Sequence, residues 1–180
     1  MRVITGTAKG RQLETLTGLD TRPTVARVKE GIFSAINFEI EGRRVLDLFA
    51  GSGQMGIEAL SRGADSCLFV DSNREAAATV QRNLRTTGLG DRSRVLCAEA
   101  LSVLSRQRDP FDLVFLDPPY AADLLLPCLE GLAPLISAGG TVICESDRDT
   151  PLPEQVGPLQ LQRTYRYGRV VVRFYRREDR

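Results

Sequence analysis

At 180 residues and 42 % hydrophobic, the chain can bury one substantial core, so a single domain over 1–180 is expected, with 1–42 as an extension and 43–180 as the main body. It has no histidine, which excludes Ser-His-Asp and Cys-His nucleophilic sites, imidazole acid–base catalysis and the common zinc centres. The net charge of +1 conceals a polarised layout: +3 over residues 1–45, −7 over 46–159 and +5 over 160–180. Basic flanks of this kind suit a polyanionic partner as readily as a solvated surface.

In chain order, Arg2–Thr5 and Arg11–Glu14 read as the short strands of a hairpin joined through Gly6 and Gly10, with Lys9 at its tip. Pro23 stands where a first helical residue is favoured, and Val25, Val28, Ile32 and Ile36 follow at helical spacing with Arg27 and Ser34 opposite. A strand is expected over 43–49, then a helix from the glycine loop to Gly63. The second strand is Cys67–Asp71, followed by a helix carrying Ala76, Val80 and Leu84 before Gly88; the third strand is Arg94–Ala98. The fourth is Leu113–Leu116, and Gly139-Gly140 opens a fifth over Thr141–Glu145. After a proline-rich connection, Leu159–Tyr167 and Arg169–Tyr175 form a terminal hairpin around Gly168. Strands alternating with helices and closed by an antiparallel pair describe an α/β, doubly wound, mostly parallel sheet of seven strands. No charged-then-apolar leader and no bilayer-length apolar run are visible, so a cytoplasmic protein without membrane contact is expected. Cys67, Cys97, Cys128 and Cys144 lack metal-ligand spacing, so buried reduced thiols and no bound metal are expected.

The run Val45-Leu46-Asp47-Leu48-Phe49-Ala50-Gly51-Ser52-Gly53-Gln54-Met55-Gly56 carries the strongest chemical signal. An apolar strand ends in an acid, enters a glycine loop and passes into a helix, which is where doubly wound sheets hold a nucleotide-like cofactor. Gly51–Gly56 also fits the dinucleotide fingerprint, so the loop alone does not choose between a nicotinamide cofactor and S-adenosylmethionine. Asp47 would oppose a pyrophosphate but suits an ammonium beside a sulfonium. Asp71 can accept two ribose hydroxyls in either case, and Glu99 is placed for an adenine amine. The candidate cofactor contacts are therefore Asp47, Phe49, Ala50, Gly51, Ser52, Gly53, Gly56, Asp71, Ser72, Glu99 and Ala100. Loop capping by Asp47 and helix capping by Asp71 and Glu99 are the structural alternatives.

Asp117-Pro118-Pro119-Tyr120, at the end of the fourth strand, favours methyl transfer. An exocyclic amine on a nucleobase is a poor nucleophile because its lone pair is delocalised into the ring. The Asp117 carboxylate and Pro118 carbonyl can hold its two protons and turn the lone pair toward a methyl donor. Pro118 and Pro119 stiffen the loop, and Tyr120 offers a face for an extruded base. As a bare tetrapeptide the motif is a common turn; its place beside a cofactor loop makes it a catalytic candidate.

Met1-Arg2-Val3-Ile4-Thr5-Gly6 with Lys9-Gly10-Arg11, then Arg22-Pro23-Thr24 with Arg27-Val28-Lys29-Glu30, then residues 47–56 and 117–120, occur in this order. Over nearly its whole length the chain resembles the RsmD-type bacterial 16S rRNA guanine-N2 methyltransferases. The resemblance implies a class I methyltransferase fold (Rossmann-like), S-adenosyl-L-methionine as cofactor, and a guanine of 16S rRNA, or of an assembling small ribosomal subunit, as target. Ser34 stands where that family often has Asn, Glu99 where Asp is usual, and Gln54-Met55 is bulkier than common. Lys9, Arg11, Arg22, Thr24 and Arg27 form the candidate RNA-contacting set, and a monomer is expected. Two alternatives stay open: a DNA adenine-N6 methyltransferase, and a module that binds cofactor or rRNA without turnover.

Overall fold

Val45, Leu46 and Leu48 are buried on both sides of one strand, which requires cover on both faces of the sheet. The computed structural model describes residues 1–16, 23–120 and 123–178, with the side chains of Pro23 and Thr24 outside that description. Strand β1 (Arg44–Leu48) pairs in parallel with β2 (Ser66–Asp71) on one side and β4 (Phe111–Leu116) on the other. β3 (Ser93–Cys97) lies outside β2, and β5 (Ile136–Asp147) outside β4. Three antiparallel strands complete the sheet beyond β5: β6 (Gln155–Val156), β7 (Leu159–Tyr167) and β8 (Val170–Arg177). The order is β3-β2-β1-β4-β5-β8-β7-β6. The chain winds outward from β1 to β3 and then returns to the other side of β1, so a crevice opens past the carboxyl ends of β1 and β4.

Helices cover the two faces separately. Val28, Ile32 and Phe33 of α1 (Pro23–Ala35), Ile57 and Leu60 of α2 (Gln54–Ser61), and Val80 and Leu84 of α3 (Arg74–Thr87) pack on Val45, Phe69, Leu113 and Phe115. On the other face, Val103 and Leu104 of α4 (Ala100–Arg106) and Cys128, Leu129 and Leu132 of α5 (Leu125–Leu132) pack on Leu46, Leu48, Val114, Leu116 and Val142. Each fully buried Leu, Val or Phe stabilises the fold by about 1.5–3 kcal/mol relative to exposure. Among the described residues no helix is long and apolar enough to cross a membrane.

Several sequence expectations are corrected here. The sheet has eight strands rather than seven, because the proline-rich connection adds the two-residue β6. β5 begins at Ile136, so Gly139-Gly140 lies within the strand, at the place where its register against β4 shifts. The N-terminal hairpin reduces to a single bridge between Arg2 and Gln12, flanked by backbone bonds from Val3 to Arg11 and Leu13 to Met1. Its partners lie on α2 instead of on a second long strand. Cys97 is exposed rather than buried; all four cysteines are free thiols.

A buried polar hub fastens that N-terminal segment. Glu58 of α2 is 0 % exposed and accepts the N–H groups of Ile4 (2.8 Å) and Thr5 (3.0 Å). It also meets Lys29 Nζ at 3.2 Å and Arg62 Nε at 3.0 Å. Lys29, itself 2 % exposed, also donates to the Arg2 carbonyl. Helix α1, the N-terminal segment and the helix behind the glycine loop are thus joined through one carboxylate.

Candidate active site

The loop after β1 turns by leaving ordinary backbone space. Phe49 has φ 66°, and Gly51 and Gly53 have φ 58° and 83°, so glycines occupy two of the three left-handed positions. The Gly51 N–H donates to Asp71 Oδ2 and the Asn73 N–H to Asp71 Oδ1, each at 2.9 Å. Asp71 therefore ties the loop to the end of β2, and each oxygen keeps a lone pair for a ligand hydroxyl. Capping of α3 falls to Asn73, whose side chain accepts from the Glu75 and Ala76 N–H groups. Glu99 precedes α4 without making a capping bond and stays exposed beside the crevice, next to the buried Ala100. Neither acid is consumed by a helix end.

Other expected contacts are arranged differently. Ala50 donates its N–H to the Val70 carbonyl, and the Ser52 carbonyl accepts from Asn83 Nδ2 at 2.9 Å. Ser72 is exposed, and its carbonyl accepts from the Cys97 thiol. Gly56, expected among the cofactor contacts, is buried in α2, and its N–H donates to Asp47 Oδ2 at 2.9 Å. A Cβ there would lie 2.4 Å from the Phe69 ring, so this glycine lets α2 approach β2. Asp47 caps the loop as the structural alternative had it, yet it is 3 % exposed and its pKa is pushed up to about 7. Burial is the main cause, the Gly56 N–H opposes it, and the Asp71 charge adds to it.

That shift has a testable sign. The folded protein holds the Asp47 proton more tightly than the unfolded chain, so its contribution to stability is lost as pH rises from about 4 to about 7, by on the order of 4 kcal/mol. Asp47→Asn is expected to raise the denaturation midpoint of the ligand-free protein at pH 8 and to leave it unchanged near pH 4. Equal effects at both pH values would remove Asp47 as the titrating group.

Pairing of β4 with β1, Leu116 opposite Leu48, delivers Asp117 directly beside the glycine loop. Pairing of β5 with β4, Cys144 opposite Leu116, delivers Glu145 next to Asp117. The pKa of Asp117 is raised well above the usual carboxylate range by the surrounding protein, then by the charges of Glu145 and Asp47. Its side chain still opens into the crevice, so water offsets part of the burial contribution and the neighbouring charges weigh more. Burial pushes Glu145 up to about 6. Pro118 is buried, Pro119 exposed, and Tyr120 is 53 % exposed at the rim. Carboxylates at the ends of β1, β2, β4 and β5 form an acidic rim that opposes a pyrophosphate and suits a cationic ligand bearing hydroxyls. Above Gly51 the space is open, with no atom within 4 Å of where a Cβ would stand.

The family model described as "Conserved hypothetical protein 95" matches residues 1–176. This chain belongs to that family, the RsmD-type methyltransferases. A Bacillus subtilis relative, YlbH, is 42 % identical over 98 % of this chain and 99 % of its own. The Escherichia coli ribosomal RNA small subunit methyltransferase D is 33 % identical over 99 % of this chain and 90 % of its own. The solved structure of Escherichia coli yhhF superposes with a TM-score of 0.88 at 33 % identity, covering 100 % and 99 % of the two chains.

In this RsmD-type enzyme the basic candidates separate. Arg27 lies exposed on α1 and lines a cavity with Tyr120 and Glu145. Lys9 and Arg11 are exposed on and after the turn that Thr7 and Ala8 dock onto Ser61, at the far end of α2 from the glycine loop, so Lys9 is not brought to the crevice. Arg22 and the Thr24 side chain lie outside the described residues. Two polar residues near the crevice had not been singled out. Glu145 follows the apolar run Val142-Ile143-Cys144 as Asp47 follows Val45-Leu46 and Asp71 follows Leu68-Phe69-Val70, which is a signal the sequence carries. Buried Asn83 exchanges bonds with the Glu14 backbone and holds Ser52, and nothing in its helix marks it.

Proposed function

We propose that this enzyme transfers a methyl group from S-adenosylmethionine to the N2 amine of a guanine in small-subunit ribosomal RNA, in the cytoplasm where that RNA is assembled. The observation that carries this reading is the Asp117-Pro118-Pro119-Tyr120 loop at the end of β4, beside the glycine loop at the sheet's switch point. The activity named for the Escherichia coli relative supports ribosomal RNA as the substrate class. When bound, the cofactor supplies an electrophilic methyl on a sulfonium.

Asp47 and Asp71 hold the cationic and hydroxyl groups of that ligand, and a cation beside Asp47 draws off its proton. Asp117 and the Pro118 carbonyl accept hydrogen bonds from the two amine protons, turning the nitrogen lone pair away from the ring. The nitrogen that takes up the methyl as the methyl–sulfur bond breaks, its electron pair staying on sulfur, would give one proton to Asp117, whose raised pKa lets it receive that proton. Tyr120 stacks the base.

The reading is tested by incubating the protein with radiolabelled S-adenosylmethionine and small-subunit particles from cells lacking the enzyme, then mapping the label. N2-methylguanine in RNA is the expected product, and N6-methyladenine in DNA would overturn the assignment. Phosphate contacts make a separate claim. Arg27→Ala is expected to flatten the dependence of RNA affinity on salt by about one unit in log–log slope. An unchanged slope would return Arg27 to an ordinary solvated helix face.

A further inference from the structure

A cavity of about 430 Å3 opens beside the catalytic loop, and its walls include Tyr120, Arg27 of α1, Glu145 and Asp147 of β5, and Tyr167 and Arg169 around the last hairpin. Glu145 is half-buried there, yet its carboxylate has no hydrogen-bond donor and no ion-pair partner among the described residues. The nearest cation in register, Arg173 on β8, faces Cys144 and is committed to Ser146 Oγ at 2.9 Å and the Thr150 carbonyl at 3.0 Å. Asp147, the other acid on this wall, already accepts the Asp149 N–H. Its oxygens are not sealed from solvent, so water meets them until a ligand donor takes its place.

We propose that Glu145 selects guanine over adenine by accepting the N1–H of the base whose 2-amine lies at Asp117. The proposal rests on the reading above and names the specificity-determining residue of the same site. Asp117 and Glu145 follow paired positions of neighbouring parallel strands, so their carboxylates stand side by side. Guanine presents two adjacent donors on one edge, N1–H and the 2-amine, and two adjacent acceptors match them. Adenine presents an acceptor at N1 and has no 2-amine, so it would set a lone pair against Glu145.

The test uses small-subunit rRNA in which the mapped guanine is replaced by 2-aminopurine, which keeps the reactive 2-amine but turns N1 into an acceptor. The wild-type enzyme is expected to favour guanine by about 10–100-fold in kcat/KM. In Glu145→Gln the amide can donate to N1, so the preference is expected to collapse toward one or invert. Loss of the 6-oxygen affects both enzymes alike and cancels in the ratio of the two preferences. If Glu145→Gln lowers both substrates by the same factor and keeps the preference, the proposal is overturned. Should that variant fail to fold, Glu145→Ala gives the same readout, preference lost or preference kept. A wild-type enzyme that methylates neither RNA defeats the functional reading itself, which is a different result from an unchanged preference.

Discussion

Asp117→Ala is expected to lower single-turnover methyl transfer by a factor of about a hundred or more while leaving the melting-temperature rise produced by S-adenosylmethionine intact. In the mechanism we propose, the carboxylate acts on the amine and receives its proton, so its removal falls on chemistry. Cofactor affinity is spared because Asp117 and Asp47 repel one another across the crevice, and removing one lets the other ionise more readily. Asp117→Asn keeps an acceptor oxygen but cannot take up a proton, so it is expected to fall nearer the alanine variant than the wild type. The raised pKa also sets a pH dependence: the rate should climb as pH rises and Asp117 loses its proton. Tyr120→Phe, which keeps the ring face, should be mild. Tyr120→Ala should weaken base binding by about 1–3 kcal/mol of stacking. Full activity in Asp117→Ala would remove this loop from the mechanism.

Glu58→Ala is expected to be the most destabilising single change, by about 3–5 kcal/mol, read as a fall in the denaturant midpoint. It strands the buried Lys29 ammonium and removes the acceptor of two backbone N–H groups and of Arg62. Burial already lowers the Lys29 pKa despite the pull of Glu58. Without Glu58 the folded state binds this proton still more weakly than the unfolded chain, so the variant's stability should rise with pH. Adding Lys29→Met should recover part of the loss, because the uncompensated charge is gone. A fall below about 1 kcal/mol in the single variant would show that the N-terminal segment is not held through this hub.

Local signals account for the parts of the molecule that were readable in advance. Strand β1, the loop glycines and the start of α2 follow from an apolar run, two positive-φ positions and a helix that packs through Gly56. Helix α1 buries Val28 and Ile32 and exposes Arg27 and Ser34, as their spacing requires. The hairpin at the chain's beginning pairs antiparallel as expected but is shorter than two full strands, for an equally physical reason. Four-residue segments are set by their partners: here the two face each other through a few backbone bonds around Arg2 and Gln12, while Glu58 and the backbone of Ser61 take the N–H groups of Ile4, Thr5 and Thr7. Gly139-Gly140 looked like a break, and although they fall within β5 the ladder skips them: the register against β4 jumps from Ile136 to Thr141, and pairing with β8 starts at Thr141.

The chain order of Asp47, Gly51, Asp71 and Asp117-Pro118-Pro119-Tyr120 determined the kind of chemistry, because each residue follows an apolar strand and every strand of a parallel set ends on the same side. The absence of histidine excluded imidazole acid–base catalysis. Only the tertiary structure decided which acids meet. Strand order sets β4 and β5 side by side, and that adjacency makes Glu145 a neighbour of Asp117, whose charge adds to burial in raising the Asp117 pKa. It also joined Glu58, Lys29 and the backbone of Ile4 and Thr5, whose separation along the chain hides that they share one buried charge. Burial and proximity are properties of the assembled sheet, and no residue carries them in its own identity.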